Sequence, residues 1–162
     1  MIKVLFVCLG NICRSPMAEG LFRELVFKAN LSDEIETDSA GIIDYHAGEL
    51  PDSRMRETAQ GHGIVLNHRS RQLSPQDFKT FDYIVGMDNN NMEGIKQMAK
   101  HANNEKVQIF KMREFDIQSS GKDVEDPYYQ RDTGFEICYQ VLKESCERFL
   151  QHIVEEHRLK KQ

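Results

Sequence analysis

The eight residues Cys8-Leu9-Gly10-Asn11-Ile12-Cys13-Arg14-Ser15, with Pro16 directly behind them, constrain the fold more than any other stretch of the chain. Ile2 to Val7 lead into them as a short apolar run, β-branched and aromatic, that predicts a buried strand. Met17 to Ala29 follow, apolar at Met17, Ala18, Leu21, Phe22, Leu25, Val26 and Ala29, which is the spacing of an amphipathic helix. Ser15 suits an N-cap, and Pro16 suits the first helical position, where its missing N–H costs nothing. The octet is therefore expected to be a strand–loop–helix junction.

Such a junction turns backbone N–H groups and the positive end of a helix dipole into one concavity, which suits an anion. Gly10 and Asn11 accept the left-handed conformations that such a nest uses. Arg14 offers a planar fork for two phosphate oxygens. Cys8 ends the strand, where amide dipoles and a guanidinium favour a thiolate at neutral pH. A phosphate held on Arg14 presents its phosphorus to that sulfur, so the chemistry suggested is nucleophilic attack on a phosphoryl group through a phosphocysteine intermediate. A lone cysteine ending a buried strand is more often a small core residue. What favours chemistry is the combination of Cys, five residues, Arg and Ser at one junction. It is not a Walker A loop, because no lysine follows.

Val7 to Glu19 resemble the signature of the low-molecular-weight protein tyrosine phosphatases. The resemblance extends along nearly the whole chain, through Asp38-Ser39-Ala40-Gly41, His68, Phe81-Asp82-Tyr83-Ile84 with Met87-Asp88, and Asp126-Pro127-Tyr128-Tyr129. It implies phosphate cradled by Leu9, Gly10, Asn11, Ile12, Cys13 and Ser15, with Cys8 as nucleophile and Arg14 holding the phosphoryl oxygens. It also implies that Asp126 acts as general acid and then as base, and that no cofactor or metal is required. The implied substrates are phosphotyrosine-containing proteins, and phosphate, vanadate or sulfate-like anions would occupy the loop. Departures are modest: Ile42-Ile43 stand where relatives often carry a hydroxyl residue, and Gly86 replaces a small or apolar one.

The residues support these roles to different degrees. A proton for a leaving phenol oxygen can come from an aspartic acid, and Pro127 restricts Asp126 to extended backbone, although Asp-Pro is also a common turn starter. Tyr128 and Tyr129 could wall a slot for a flat ring, or could be ordinary loop tyrosines. By resemblance, Tyr45 lies across the mouth of that cleft and His46 beside it is a rim position. Ser15 is expected both to cap the helix and to donate a hydrogen bond to the Cys8 sulfur. By resemblance, Asn11, Ser39 and His68 form a supporting network. Also by resemblance, Cys13 pairs reversibly with Cys8 under oxidant. Cys138 and Cys146 share one face of the last helix as core residues and, eight apart, lack the close pairing of a zinc site, while His152 and His157, five apart, do not face one ligand.

With 162 residues, 40% of them hydrophobic and 29% charged, the chain is expected to form one soluble domain over 1–157 with a tail at 158–162. A net charge of −5 argues against nucleic-acid binding. No run reaches membrane-span length and no signal-peptide cleavage site is recognised, so no membrane partner is expected. Four cysteines, one wanted as a thiolate, suggest a reducing compartment, with cytoplasm the expected location. Monomer or weak dimer is the expected state. Strands at Ile35–Ala40, Tyr83–Met87 and Val107–Phe110 alternate with helices at Ser53–His62, after Ser74, from Asp88 to about Lys100, and from about Thr133 to His157. Residues 116–134 show no periodic element, and a loop that long is usually functional. The alternation predicts an α/β fold: a three-layer αβα domain around a doubly wound parallel sheet, four-stranded by resemblance, with its site at the carboxyl ends of the strands.

Four readings of the function compete: a tyrosine phosphatase, an arsenate reductase of the same fold, a protein-arginine phosphatase, and a catalytically dead phosphate-binding module. The reductase would need relay cysteines, and none lies between Cys13 and Cys138. Arginine phosphatases of the family carry threonine where this chain has Ile12. A dead module would be expected to lack Cys8, Arg14 or Asp126, and all three are present.

Overall fold

A computed structural model of the chain describes residues 1–102, 106–131 and 133–160. Four parallel strands, β1 (Ile2–Cys8), β2 (Ile35–Gly41), β3 (Tyr83–Gly86) and β4 (Gln108–Lys111), form one sheet in the order β2-β1-β3-β4. Five helices accompany them: α1 (Arg14–Lys28), α2 (Ser53–Gly61), α3 (Asp77–Thr80), α4 (Asn89–Ala102) and α5 (Thr133–His157). The side chains of β1 alternate across the sheet as the two-residue period of a strand requires. Val4, Phe6 and Cys8 enter a core shared with α1, α2 and α5, where Phe6, Phe22 and Phe149 meet ring to ring. Leu5 and Val7 enter a second core with Phe78, Met92 and Ile95. The result is the three-layer αβα domain.

The strand order changes direction between β1 and β3, and in doubly wound sheets a ligand site lies at that switch point. The loop after β1 occupies it. Register then sets the neighbours of Cys8: Cys8 pairs with Gly41 on β2, and Val7 with Gly86 on β3. Gly41 is required here by a close approach, since a Cβ on it would lie 2.9 Å from Leu9 O and 3.1 Å from Asn11 N.

Helix ends follow local chemistry. Asn30 takes φ 58° behind α1, while its N–H and that of Leu31 donate to Phe27 O and Val26 O, a Schellman closure. Asp52 caps α2 by accepting from Arg54 N. Asp88 caps α4 by accepting from Asn91 N. Leu159 packs on the core behind α5, so the tail is anchored at least that far, whereas Lys161 and Gln162 lie outside the described residues.

Two expectations at the junction change. Helix α1 begins two residues early, at Arg14, with Cys13 in the cap position and no side-chain cap bond. Ser15 therefore sits inside the first turn rather than capping it, and Pro16 is the third helical residue, still among the positions whose N–H has no intrahelical partner. Gly10 is not left-handed; of the pair, only Asn11 is, at φ 57°. Gly10 serves by leaving room, because a Cβ there would stand 3.2 Å from His46 Cδ2.

Candidate active site

Four carbonyls of the loop are engaged from outside it. Cys8 O accepts from Ile42 N, Leu9 O from Ile43 N, Gly10 O from the Ser70 hydroxyl, and Ile12 O from Asp52 N. Across a trans peptide the next N–H points the opposite way. The amides of Leu9, Gly10, Asn11 and Cys13 are thereby turned toward the interior of the loop, the arrangement of an anion nest.

Asn11 keeps the loop in shape. Its Oδ1 accepts from the backbone N–H of Arg71 at 3.1 Å, which fixes the amide's orientation. His68 Nε2, 2.9 Å from the same oxygen, is therefore a donor. Asn11 Nδ2 donates to Ser15 Oγ at 2.7 Å and to Ser39 Oγ at 3.0 Å, and Ser39 donates onward to Glu19 at 2.6 Å. The Ser15 hydroxyl lies 3.0 Å from Cys8 Sγ and donates to Ala40 O at 3.4 Å; toward a thiolate at Cys8 it can only be the donor. The expected network of Asn11, Ser39 and His68 is thus assembled, with Glu19 and Arg71 as members that the sequence reading did not assign. Glu19, Asp38 and His68 bring possible ligand atoms within 4.8 Å, but Ser39, Arg23 and Arg71 already engage both carboxylates.

Arg14 is 2% exposed. Its Nη1 donates to Asp88 at 2.7 Å and to Val124 O at 2.8 Å, and its Nη2 lies 3.5 Å from Asp126 Oδ2. Burial works against its charge, but the Cys8 sulfur, Asp88 and Asp126 outweigh burial and hold the guanidinium above its ordinary range. Nε, fully buried, has no hydrogen-bond partner. The fork left for an oxyanion is accordingly the Nε and Nη2 edge, since Nη1 is committed to the protein. Asp88 carries two duties, capping α4 and aiming Arg14. Its place just beyond a buried strand was the available signal, but the 74 residues separating it from Arg14 hid the partnership.

Asp126 begins a short 3-10 turn over Pro127–Tyr129 and accepts from Tyr128 N at 3.0 Å through Oδ1, leaving Oδ2 toward the cleft. Arg54 holds that turn from across the site, donating to Tyr128 O at 3.2 Å with its guanidinium over the Tyr128 and Phe135 rings. The cleft of about 320 Å³ has Cys8, Ile12, Cys13 and Arg14 at its floor, and Tyr45, His46, Asp126, Tyr128 and Tyr129 around it. The Tyr45 and His46 rings meet at 4.8 Å, and those of Tyr128 and Tyr129 at 4.9 Å. Three larger clefts hold neither the thiol nor the orphaned guanidine nitrogen, so size does not mark the site. All four cysteines are free thiols. Burial foremost pushes up Cys13 and Cys146, and takes Cys138 up to about 12. No helix is long and apolar enough to cross a membrane among the described residues.

The family model described as low molecular weight phosphotyrosine protein phosphatase matches residues 3–160. A rat protein of that name is 43% identical over 149 residues, 92% of this chain and 94% of its own. Among solved structures, a protein tyrosine phosphatase from Entamoeba histolytica with Hepes in its active site is 36% identical, with a TM-score of 0.88 over 97% of this chain and 99% of that one. DARP, a Drosophila arginine phosphatase, is 41% identical, with a TM-score of 0.89 over 94% and 98%. The chain belongs to the low molecular weight phosphotyrosine protein phosphatase family and is an enzyme of that family.

Proposed function

We propose that the protein hydrolyses phosphotyrosine in protein substrates, in two steps through a phosphocysteine on Cys8. The observation that carries this reading is the buried, unpartnered Arg14 Nε beside Cys8, in a loop whose amides turn inward. A dianionic phosphoryl group would meet those amides and the Nε–Nη2 edge of Arg14. The Cys8 thiolate then attacks phosphorus, the P–O bond to tyrosine breaks, and protonated Asp126 gives its proton to the departing phenolate. In the second step Asp126 takes a proton from water, the hydroxide oxygen bonds to phosphorus, and the S–P bond returns its electrons to Cys8. The Ser15 hydroxyl stabilises that returning charge. Tyr45, Tyr128 and Ile12 suit a flat phenyl ring in the slot.

Inorganic phosphate, vanadate and sulfate-like anions would bind as product or transition-state mimics, and a reducing compartment such as the cytoplasm suits a catalytic thiol. In the presence of a peroxide, Cys8 as sulfenic acid would condense with the Cys13 thiol, forming the S–S bond and releasing water. A single catalytic domain over 1–157, acting as a monomer or weak dimer, suffices for this chemistry.

Similarity to DARP favours phosphoarginine as the second reading. The test is hydrolysis of matched phosphotyrosine and phosphoarginine peptides by wild type, Cys8→Ser and Asp126→Ala. Preference for phosphotyrosine, an inert Cys8→Ser and a large loss in Asp126→Ala are expected. Preference for phosphoarginine would replace the substrate, and binding of phosphate without turnover would replace the activity.

A further inference from the structure

Nine large apolar side chains stand exposed among the described residues, and four of them gather at one place, the mouth of the cleft above Cys8. These are Leu9 at 45%, Ile43 at 39%, Tyr45 at 81% and Tyr129 at 91% exposure. Clustering of this kind, unlike single exposed apolar residues, marks an interaction surface.

Ile43 is the part of the cluster that the catalytic reading leaves unexplained, and it is held firmly. Its N–H donates to Leu9 O at 3.0 Å, which ties it to the phosphate loop. Its neighbour Ile42 points the other way, into the core against Gly94, with its carbonyl taken by Gln72. Alternation along the chain then leaves Ile43 at the lip beside Leu9 and Tyr45. Asp44, exposed between Ile43 and Tyr45, adds a negative charge to the same edge.

We infer that Ile43, with Leu9 and Tyr45, forms an apolar shelf that reads the residue next to the phosphotyrosine, favouring an apolar side chain there and, through Asp44, disfavouring an acidic one. The inference rests on the phosphatase reading of the site. Its physical basis is continuity: with the phosphate on Arg14 and the ring in the slot, the substrate backbone must leave at this mouth. Its immediate neighbours then cross the shelf and remove it from water.

The experiment compares kcat and KM for three phosphotyrosine peptides that differ only in a flanking leucine, serine or glutamate, varied on each side in turn, with para-nitrophenyl phosphate as the substrate that ends inside the slot. Wild type is expected to prefer leucine over serine by about tenfold in kcat/KM, at the lower end of what a small apolar contact discriminates, and to rank glutamate last. The difference should lie in KM. Ile43→Ser should abolish the leucine preference while changing para-nitrophenyl phosphate turnover less than twofold. Ile43→Leu should restore the preference, and Asp44→Asn should relieve the glutamate penalty alone. Equal rates on all three peptides, or an Ile43→Ser loss as large on para-nitrophenyl phosphate as on peptide, would overturn the shelf. Failure to hydrolyse any of the substrates would instead overturn the phosphatase reading beneath it.

Discussion

Replacing Gly41 by alanine places one methyl group against backbone that cannot easily yield. The new Cβ would lie 2.9 Å from Leu9 O and 3.1 Å from both Asn11 Cβ and Asn11 N. Strand β2 is pinned behind it, Gly41 N donating to Arg71 O at 2.8 Å and Gly41 O accepting from Leu73 N at 2.7 Å. The give must come from Leu9–Asn11, by several tenths of an ångström. Overpacking of this kind costs about 1–3 kcal/mol, which at this chain length lowers the melting temperature by roughly 3–10 °C. Because misplacing a catalytic group by 1 Å costs about a hundredfold, kcat/KM should fall about 5- to 30-fold, with vanadate inhibition weakening in parallel. Gly61→Ala is the control, since nothing lies within 4 Å of its added Cβ. It should leave activity unchanged and hold or raise the melting temperature. A Gly41→Ala enzyme within twofold of wild type in kcat/KM and vanadate affinity would refute the view that this contact shapes the loop.

Ser15→Ala should slow hydrolysis of the phosphoenzyme more than its formation, so rapid-quench measurements should show a larger burst and a steady state slower by about a hundredfold, the lower end of the cost of one lost oxyanion donor. Arg54→Gln loosens the Asp126 turn from Tyr128 O; kcat/KM should become more sensitive to the leaving group, with aryl phosphates of high phenol pKa losing most, while vanadate affinity holds. Asp52 is held below its ordinary carboxylate range, chiefly by hydrogen bonds from the Arg54 side chain. The stability it supplies is therefore present above the unfolded carboxylate's titration and is lost as pH falls through the folded value. Asp52→Ala should cost about 1 kcal/mol at pH 7, as a lost N-cap does, and urea titrations should show that difference shrinking in acid.

The sheet, the long last helix and the loop that joins Cys8 to Arg14 were legible because their signals are local. Alternation and apolar runs reveal strands, and Cys8 and Arg14 stand within one loop. The error over Ser15 has a local cause as well: a serine before a proline reads as a cap, yet here its hydroxyl is recruited by Asn11 and Cys8. Asp88, Arg54, Arg71 and Gly41 were out of reach for a different reason. Each acts on a residue brought near only by sheet register or by α2 and the 124–129 segment closing over β1, and no period in the sequence encodes that meeting. Residues 116–131 carried the general-acid candidate but little pattern, since their order comes from single bonds such as Val124 N to Met87 O rather than from a long repeating element.

The bonds from Arg14 to Val124 and Asp126 join positions 110 and 112 residues apart. Biosynthesis therefore delivers the proposed nucleophile long before the proposed acid. At about 5–20 residues per second, the 118 residues between Cys8 and Asp126 take roughly 6–24 s to emerge. During that interval the nascent chain carries the Cys8 thiol and a half-built loop, but neither the carbonyl that seats Arg14 nor Asp126. The site proposed here is therefore completed only once the 124–129 segment, made long after β1, has docked.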